Sequence, residues 1–276
     1  ATLQGQLEPL RSQLLYGDFT IKAADDIWQV IPTEWVLAAQ QRFREGRRPD
    51  LEMRALGVDV ARGGKDKTSL APLYGSWFDP LRTYPGRDTP DGDAVAGHVE
   101  DNVDKSILIV IDVAGVGSSP YDILRRKGYR VAGFNSSAAA KDAHGKPLKD
   151  KTGKYEFANL RAAAYWFLRE ALDPASGQDI ALPDDRELRV DLCAARYKII
   201  GGRYQIEPKE EIKLRINRSP DKGESVIMGW YGANQSLPAA IMPQAFAVKR
   251  QQEPRDLTPG ISSARSVIAG RSKKRR

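Results

Sequence analysis

Residues 55–61 read Ala-Leu-Gly-Val-Asp-Val-Ala, and residues 106–112 read Ser-Ile-Leu-Ile-Val-Ile-Asp. Each is a short apolar run bounded by glycines or polar residues, the pattern of a buried central strand. Each also carries one aspartate, Asp59 inside the first run and Asp112 at the end of the second. Burying an ionised carboxylate costs several kcal/mol or more unless a cation or several donors compensate it. If the two strands are neighbours, both carboxylates meet at one edge of the sheet. They then form an oxygen-rich site without histidine, the kind that magnesium or manganese prefers. A third acid would complete it. Ser219-Pro-Asp-Lys-Gly-Glu-Ser225 supplies two, Asp221 and Glu224, one turn apart on a helix predicted over about 220–230, and the spacing leaves both open.

Outward from these runs, Leu70–Phe78 and Leu81–Tyr84 are expected as strands joined at Asp79-Pro80, so the sheet begins with consecutive antiparallel strands. Helices are predicted over 91–102 and 120–126, with a strand at 129–134 parallel to the one ending in Asp112. Residues 135–154 are polar and basic, with Lys141, Lys146, Lys149, Lys151 and Lys154 among glycines, and are expected to form an exposed loop. Two helices follow, over 157–172 and 184–195. Gly201-Gly202 between two β-rich runs then predicts a hairpin ending in Arg203-Tyr-Gln-Ile-Glu207. In the first fifty residues, Trp35, Val36, Ala39 and Phe43 recur at helical spacing after Pro32-Thr33. The fold class is α/β.

Composition narrows the chemistry. The chain has 276 residues, one cysteine (Cys193) and two histidines (His98 and His144), which excludes a disulfide framework and a Cys/His zinc site within one chain. A formal charge of +7 suits a polyanionic partner. No stretch approaches the ~18 apolar residues of a membrane span. No secretory signal opens the chain, and its start at Ala1 reads as a piece cut from something longer. Gly115-Val-Gly117 follows a strand, but Pro120 stands where a dinucleotide fingerprint needs glycine. Gly64-Lys65 is followed by Asp66, so it is no Walker loop. No ATPase is expected in this chain.

Several blocks together resemble the nuclease domain of tailed-phage large terminases. Gly57-Val-Asp-Val-Ala-Arg-Gly-Gly-Lys-Asp-Lys-Thr68 is similar to the first-strand motif of that family, and Ile109-Val-Ile-Asp-Val-Ala-Gly-Val-Gly117 with Tyr121-Asp-Ile-Leu to the second. Asn159-Leu-Arg-Ala with Tyr165-Trp166, Leu182-Pro-Asp, Ile206-Glu-Pro-Lys-Glu-Glu-Ile-Lys and Arg218-Ser-Pro-Asp221 follow in family order. Tyr16-Gly-Asp-Phe and Gln29-Val-Ile-Pro32 resemble the upstream linker. The resemblance implies a ribonuclease H-like mixed sheet flanked by helices, with an auxiliary β-hairpin. It implies a linker and helix over 1–50, a nuclease domain over 51–235, and a C-terminal extension over 236–276 whose basic end is expected to be disordered.

The same resemblance implies an endonuclease that cuts concatemeric double-stranded DNA at the start and end of genome packaging. Two divalent cations, magnesium or manganese, would serve it, bridged by Asp59, with Asp112 and Glu224 each holding one and Lys209 near the phosphate or attacking water. The family has aspartate where this chain has Glu224, so Asp221 stands second as the third ligand. Lys141, Lys146, Lys149, Lys151, Lys154 and Arg203 are candidate DNA contacts. The implied partners are the terminase ATPase domain, the small terminase subunit and the portal, in the host cytoplasm and with no membrane. Competing readings are another ribonuclease H-like nuclease, such as a Holliday-junction resolvase or transposase core, a ribonuclease acting on hybrids, and a non-catalytic DNA-binding packaging adaptor.

Overall fold

The computed structural model describes residues 26–61 and 63–235. The expectations for Tyr16-Gly-Asp-Phe and for the extension over 236–276 lie outside the described residues. In chain order the elements are α1 (Thr33–Glu45), β1 (Ala55–Asp59), β2 (Lys67–Tyr74), β3 (Trp77–Phe78), β4 (Arg82–Pro85), α2 (Gly92–Glu100), β5 (Leu108–Asp112) and α3 (Ser118–Arg126). There follow β6 (Val131–Phe134), β7 (Glu156–Phe157), α4 (Leu160–Leu172), α5 (Arg186–Ala194), β8 (Tyr197–Ile200), β9 (Arg203–Ile206), α6 (Lys209–Ile216) and α7 (Asp221–Asn234).

The main sheet runs β3-β2-β1-β5-β6, with β4 also paired to β2. β2 lies antiparallel to β1, whereas β5 is parallel to β1 and β6 parallel to β5. The register Val58↔Ile111 carries Asp59 and Asp112 to the ends of adjacent parallel strands. Because side chains alternate along a strand, Leu56, Val58, Ile109 and Ile111 point to one face. There they pack with Ala96 and Val99 of α2 and Ile123 and Leu124 of α3. Gly57 and Val110, and with them Asp59 and Asp112, belong to the other face, where α7, α4 and α5 build the larger core around Tyr165, Trp166, Leu188 and Met228. A second sheet, β7-β9-β8, carries the expected Gly201-Gly202 hairpin. No described helix is long and apolar enough to cross a membrane.

Several boundaries differ from expectation for identifiable reasons. The run 70–78 is broken by a turn at Gly75-Ser76, so β2 and β3 pair with each other, and the expected link at Asp79-Pro80 joins β3 to β4 instead. The helix expected from 157 starts at Leu160, because Asn159 accepts a hydrogen bond from the Ala162 N–H at 2.9 Å and caps it, which frees Glu156–Phe157 to pair with β9. Residues 135–154 form a succession of turns. They are closed by bridges Lys141↔Pro147 and Lys149↔Glu156, and by the buried Asp150, which accepts from the N–H groups of Lys154 and Tyr155.

The contact that sets the layers is between backbones. A Cβ added to Gly57 would lie 1.9 Å from the Ser225 carbonyl oxygen and 2.7 Å from the Gly229 nitrogen, so only glycine lets α7 press directly on β1. One on Gly229 would meet the Gly57 nitrogen at 3.1 Å, a milder clash. Gly57→Ala is therefore expected to destabilise the fold by about 3 kcal/mol or more. Gly229→Ala, which regains helix propensity, should cost about 1 kcal/mol or less. Urea denaturation of both variants checks this, and equal midpoints would contradict it.

Candidate metal centre

The β1–α7 contact fixes what faces what. Asp59 ends β1, 6% exposed, while Asp221 and Glu224, 8% and 7% exposed, lie one turn apart at the start of α7. Ser69 of β2 and Ser225 share a hydrogen bond of 3.0 Å and pin the helix beside Glu224. Asp112 is half-buried at the end of β5, where its Oδ1 accepts the Ala114 N–H at 2.9 Å. Gly117 makes this turn possible, since a Cβ there would lie 1.7 Å from the Asp112 carbonyl oxygen. The pair Gly115-Val-Gly117 thus has a backbone-packing explanation.

Lys209, the first residue of α6, reaches into the cluster. Its Nζ lies 3.2 Å from Asp59 Oδ2 and 3.8 Å from Asp221 Oδ1. The other oxygen of Asp221 accepts the Lys67 N–H at 2.9 Å. Glu224 is held from a different side. Its Oε1 accepts from Arg161 Nη2 at 2.9 Å, from Arg161 Nε at 3.3 Å and from the Tyr165 hydroxyl at 2.8 Å.

The electrostatics follow from this inventory. Four carboxylates face two cations, Lys209 and Arg161, which leaves two negative charges if all are ionised. Burial, with the neighbouring Asp221 and Glu224 working against the relief from Lys209, pushes the Asp59 carboxyl up to about 7. Burial also raises Asp112. Burial would raise Glu224 too, but Arg161 and Lys209, with the hydrogen bonds from Arg161 and Tyr165, hold it below the usual glutamate range. Burial would lower Lys209, yet Asp59, Glu224 and Asp221 keep it above the ordinary lysine value, so it stays an ammonium.

Among the described residues no three His, Cys, Asp or Glu side chains are drawn together closely enough to hold an ion as they stand. Asp59 is paired with Lys209, Glu224 with Arg161, and Asp112 with the Ala114 N–H. The donor set nonetheless fits a hard divalent cation: it is all oxygen, largely buried, and short of positive charge by the two units such a cation brings.

The structure thus gathers Asp59, Asp112, Asp221, Glu224 and Lys209, all singled out in the sequence. The basic residues lie apart from them, and none hydrogen-bonds to these carboxylates. Lys151 pairs with Asp173 at 2.9 Å, Arg203 with Glu156 at 3.3 Å, and Lys154 lies 4.8 Å from the centre of the Tyr155 ring. Lys141 and Lys149 sit at the two bridges, and the Lys146 N–H bonds Asp142. Sequence reasoning named Arg161 and Tyr165 only within the blocks of the resemblance and gave neither a role beside the carboxylates. The only signal was their i,i+4 spacing on the predicted helix, which puts both on one face.

Compared with solved structures, the nuclease domain of the large terminase subunit gp2 of bacterial virus Sf6 matches with a TM-score of 0.56 at 18% identity, over 76% of this chain and 99% of that one. This chain has the terminase nuclease fold. A mutant of the Sf6 domain solved with manganese and beta-thujaplicinol gives 0.55 at 18% identity, covering 76% and 99% of the two chains. A mutant of the same Sf6 subunit solved with calcium gives 0.54 at 19%, covering 72% and 97%. No protein-family model and no curated protein matches the chain. The mixed sheet, flanking helices and hairpin described above are those that the resemblance implied.

A raised carboxyl in the folded state makes a signed prediction. The stability Asp59 contributes is fully present below its ordinary value of 3.8 and is lost as the pH rises through about 7. In chelator, Asp59→Asn should therefore melt above the wild type. The gap should grow from pH 5 to pH 7.5, with a slope of at most about 1.4 kcal/mol per pH unit, and then level off. Manganese should close it by stabilising the wild type alone. A gap that does not change with pH contradicts this.

Proposed function

We propose that this chain is the metal-dependent endodeoxyribonuclease of a tailed-phage large terminase, cutting concatemeric double-stranded DNA by two-cation phosphodiester hydrolysis. The observation that carries the reading is the excess of buried carboxylate at the ends of two adjacent parallel strands, compensated by only two resident cations. A structural salt bridge has no use for that excess, whereas one divalent cation removes it and the DNA phosphates would supply the negative charge that a second requires. The likeness to the Sf6 domain supports the same reading through its fold.

Asp59 would touch both ions, Asp112 and Glu224 one each, with Asp221 beside them as the alternative to Glu224. When bound, the cations would lower the pKa of water and stabilise the leaving 3′ oxygen, so no histidine base is needed. Lys209 stays protonated beside Asp59, and its ammonium, released from that carboxylate by the cations, would take a phosphate oxygen as charge builds on it. Arg161, buried against Glu224, neutralises that carboxylate from behind and keeps it ionised. Lys141, Lys146, Lys149, Lys151, Lys154 and Arg203 would add phosphate contacts. The Arg203–Glu156 pair lies at the surface and is worth little, so it yields readily to DNA. Binding of this kind is independent of sequence and weakens steeply with salt. The ATPase motor, small terminase subunit and portal would be its partners, in the host cytoplasm.

Supercoiled plasmid incubated with the chain should be nicked in manganese or magnesium and left intact in chelator. Asp59→Asn and Asp112→Asn should each lower the rate by about a thousandfold or more while leaving the circular-dichroism spectrum unchanged. Cutting in chelator, or full activity in either variant, would refute the assignment. Cutting confined to four-way junctions would instead place the chain with the resolvases.

A further inference from the structure

Glu224 is one methylene longer than the aspartate expected at its position, and a longer, freely rotating side chain presents its oxygens less reproducibly. In this structure it does not rotate freely. Three donors, Arg161 Nε, Arg161 Nη2 and the Tyr165 hydroxyl, converge on the single oxygen Oε1. The second oxygen, Oε2, has no hydrogen-bond partner among the described residues. The Arg161 and Glu224 side chains are 13% and 9% exposed, so water competes little for the pair. Arg161 is itself anchored: its Nη1 donates to the Glu207 carbonyl at 2.7 Å, two residues before Lys209. One guanidinium therefore ties α4 to the acid on α7 and to the start of the helix that carries the lysine.

We propose that Arg161, assisted by Tyr165, is a positioning residue for the carboxylate site, drawing back the longer glutamate by Oε1 so that Oε2 is offered to a divalent cation in a fixed orientation. This rests on the divalent-cation reading above and adds to it residues that no ligand set contains. A carboxylate oriented by hydrogen bonds from behind binds metal more tightly than a mobile one, typically by about tenfold to a hundredfold.

Charge-conserving variants separate positioning from charge. Arg161→Met removes both the donors and the field that keeps Glu224 ionised, whereas Arg161→Lys and Tyr165→Phe keep the charge and remove only donors, so the decision rests on these two. The test is the manganese concentration giving half the maximal rise in melting temperature, measured on the whole chain for the wild type, Arg161→Met, Arg161→Lys and Tyr165→Phe. Positioning predicts that Arg161→Met and Arg161→Lys need about tenfold more manganese or beyond. Tyr165→Phe, which keeps the charge and removes one donor, should shift in the same direction by less. Should Arg161→Met fail to fold, the two charge-conserving variants decide. A wild-type response matched or exceeded by both charge-conserving variants overturns the positioning role alone. No manganese response in the wild type brings down the cation reading, and the positioning role with it.

Discussion

The structure depends on a place where two backbones touch without a side chain between them. Gly57 in the middle of β1 meets Ser225 and Gly229 of α7 at a distance that admits no Cβ. This brings the first turn of α7 over the end of β1, where Asp221 and Glu224 come to face Asp59. The register of the parallel pair β1–β5 adds Asp112 from the side. No one of these acids is unusual in its own element: Asp221 and Glu224 sit at a helix start, where the helix dipole favours acids, and Asp112 makes an ordinary turn with Ala114. Their accumulation comes from tertiary packing, and so does its cost.

That cost explains the rest of the site. Two long basic side chains, Lys209 from α6 and Arg161 from α4, are brought in and kept firmly charged by the acids they meet. They divide the labour, Lys209 lying between Asp59 and Asp221 while Arg161 takes Glu224 from the far side. Even so the acids outnumber the cations, and the imbalance falls mainly on Asp59, the most enclosed of them. Retaining such an imbalance costs the fold stability. In the proposed function that stability is recovered when cations bind, and DNA reaches a centre whose charges are already oriented.

Much of this was legible in the sequence because the two apolar runs with single acids are local patterns. The run 55–61, with its acid inside, and the run 106–112, with its acid at the end, each announce both burial and anomaly, although β1 stops at Asp59. The antiparallel start of the sheet and the parallel pair β5–β6 followed from the strand pattern, whereas the adjacency of β1 and β5 stood in the sequence only as a condition. What escaped was set by less local effects. Helix α6 buries only Ile212 and leaves Leu214 84% exposed, so it has almost no amphipathic signature to read. The strand β7 has two residues and exists because Asn159 caps the following helix. Arg161 entered only as part of the block Asn159-Leu-Arg-Ala, because its partner lies sixty-three residues away, across the fold.

The central claim, that these carboxylates are a cation site rather than a cluster of structural ion pairs, is tested most directly by soaking crystals of the chain in manganese and recording anomalous diffraction. The account predicts strong anomalous peaks between Asp59 and Asp112, within bonding distance of Asp59, with the Lys209 ammonium displaced from its seat on that carboxylate. Lys209 still seated on Asp59, with no anomalous peak anywhere in the cluster at saturating manganese, would contradict it.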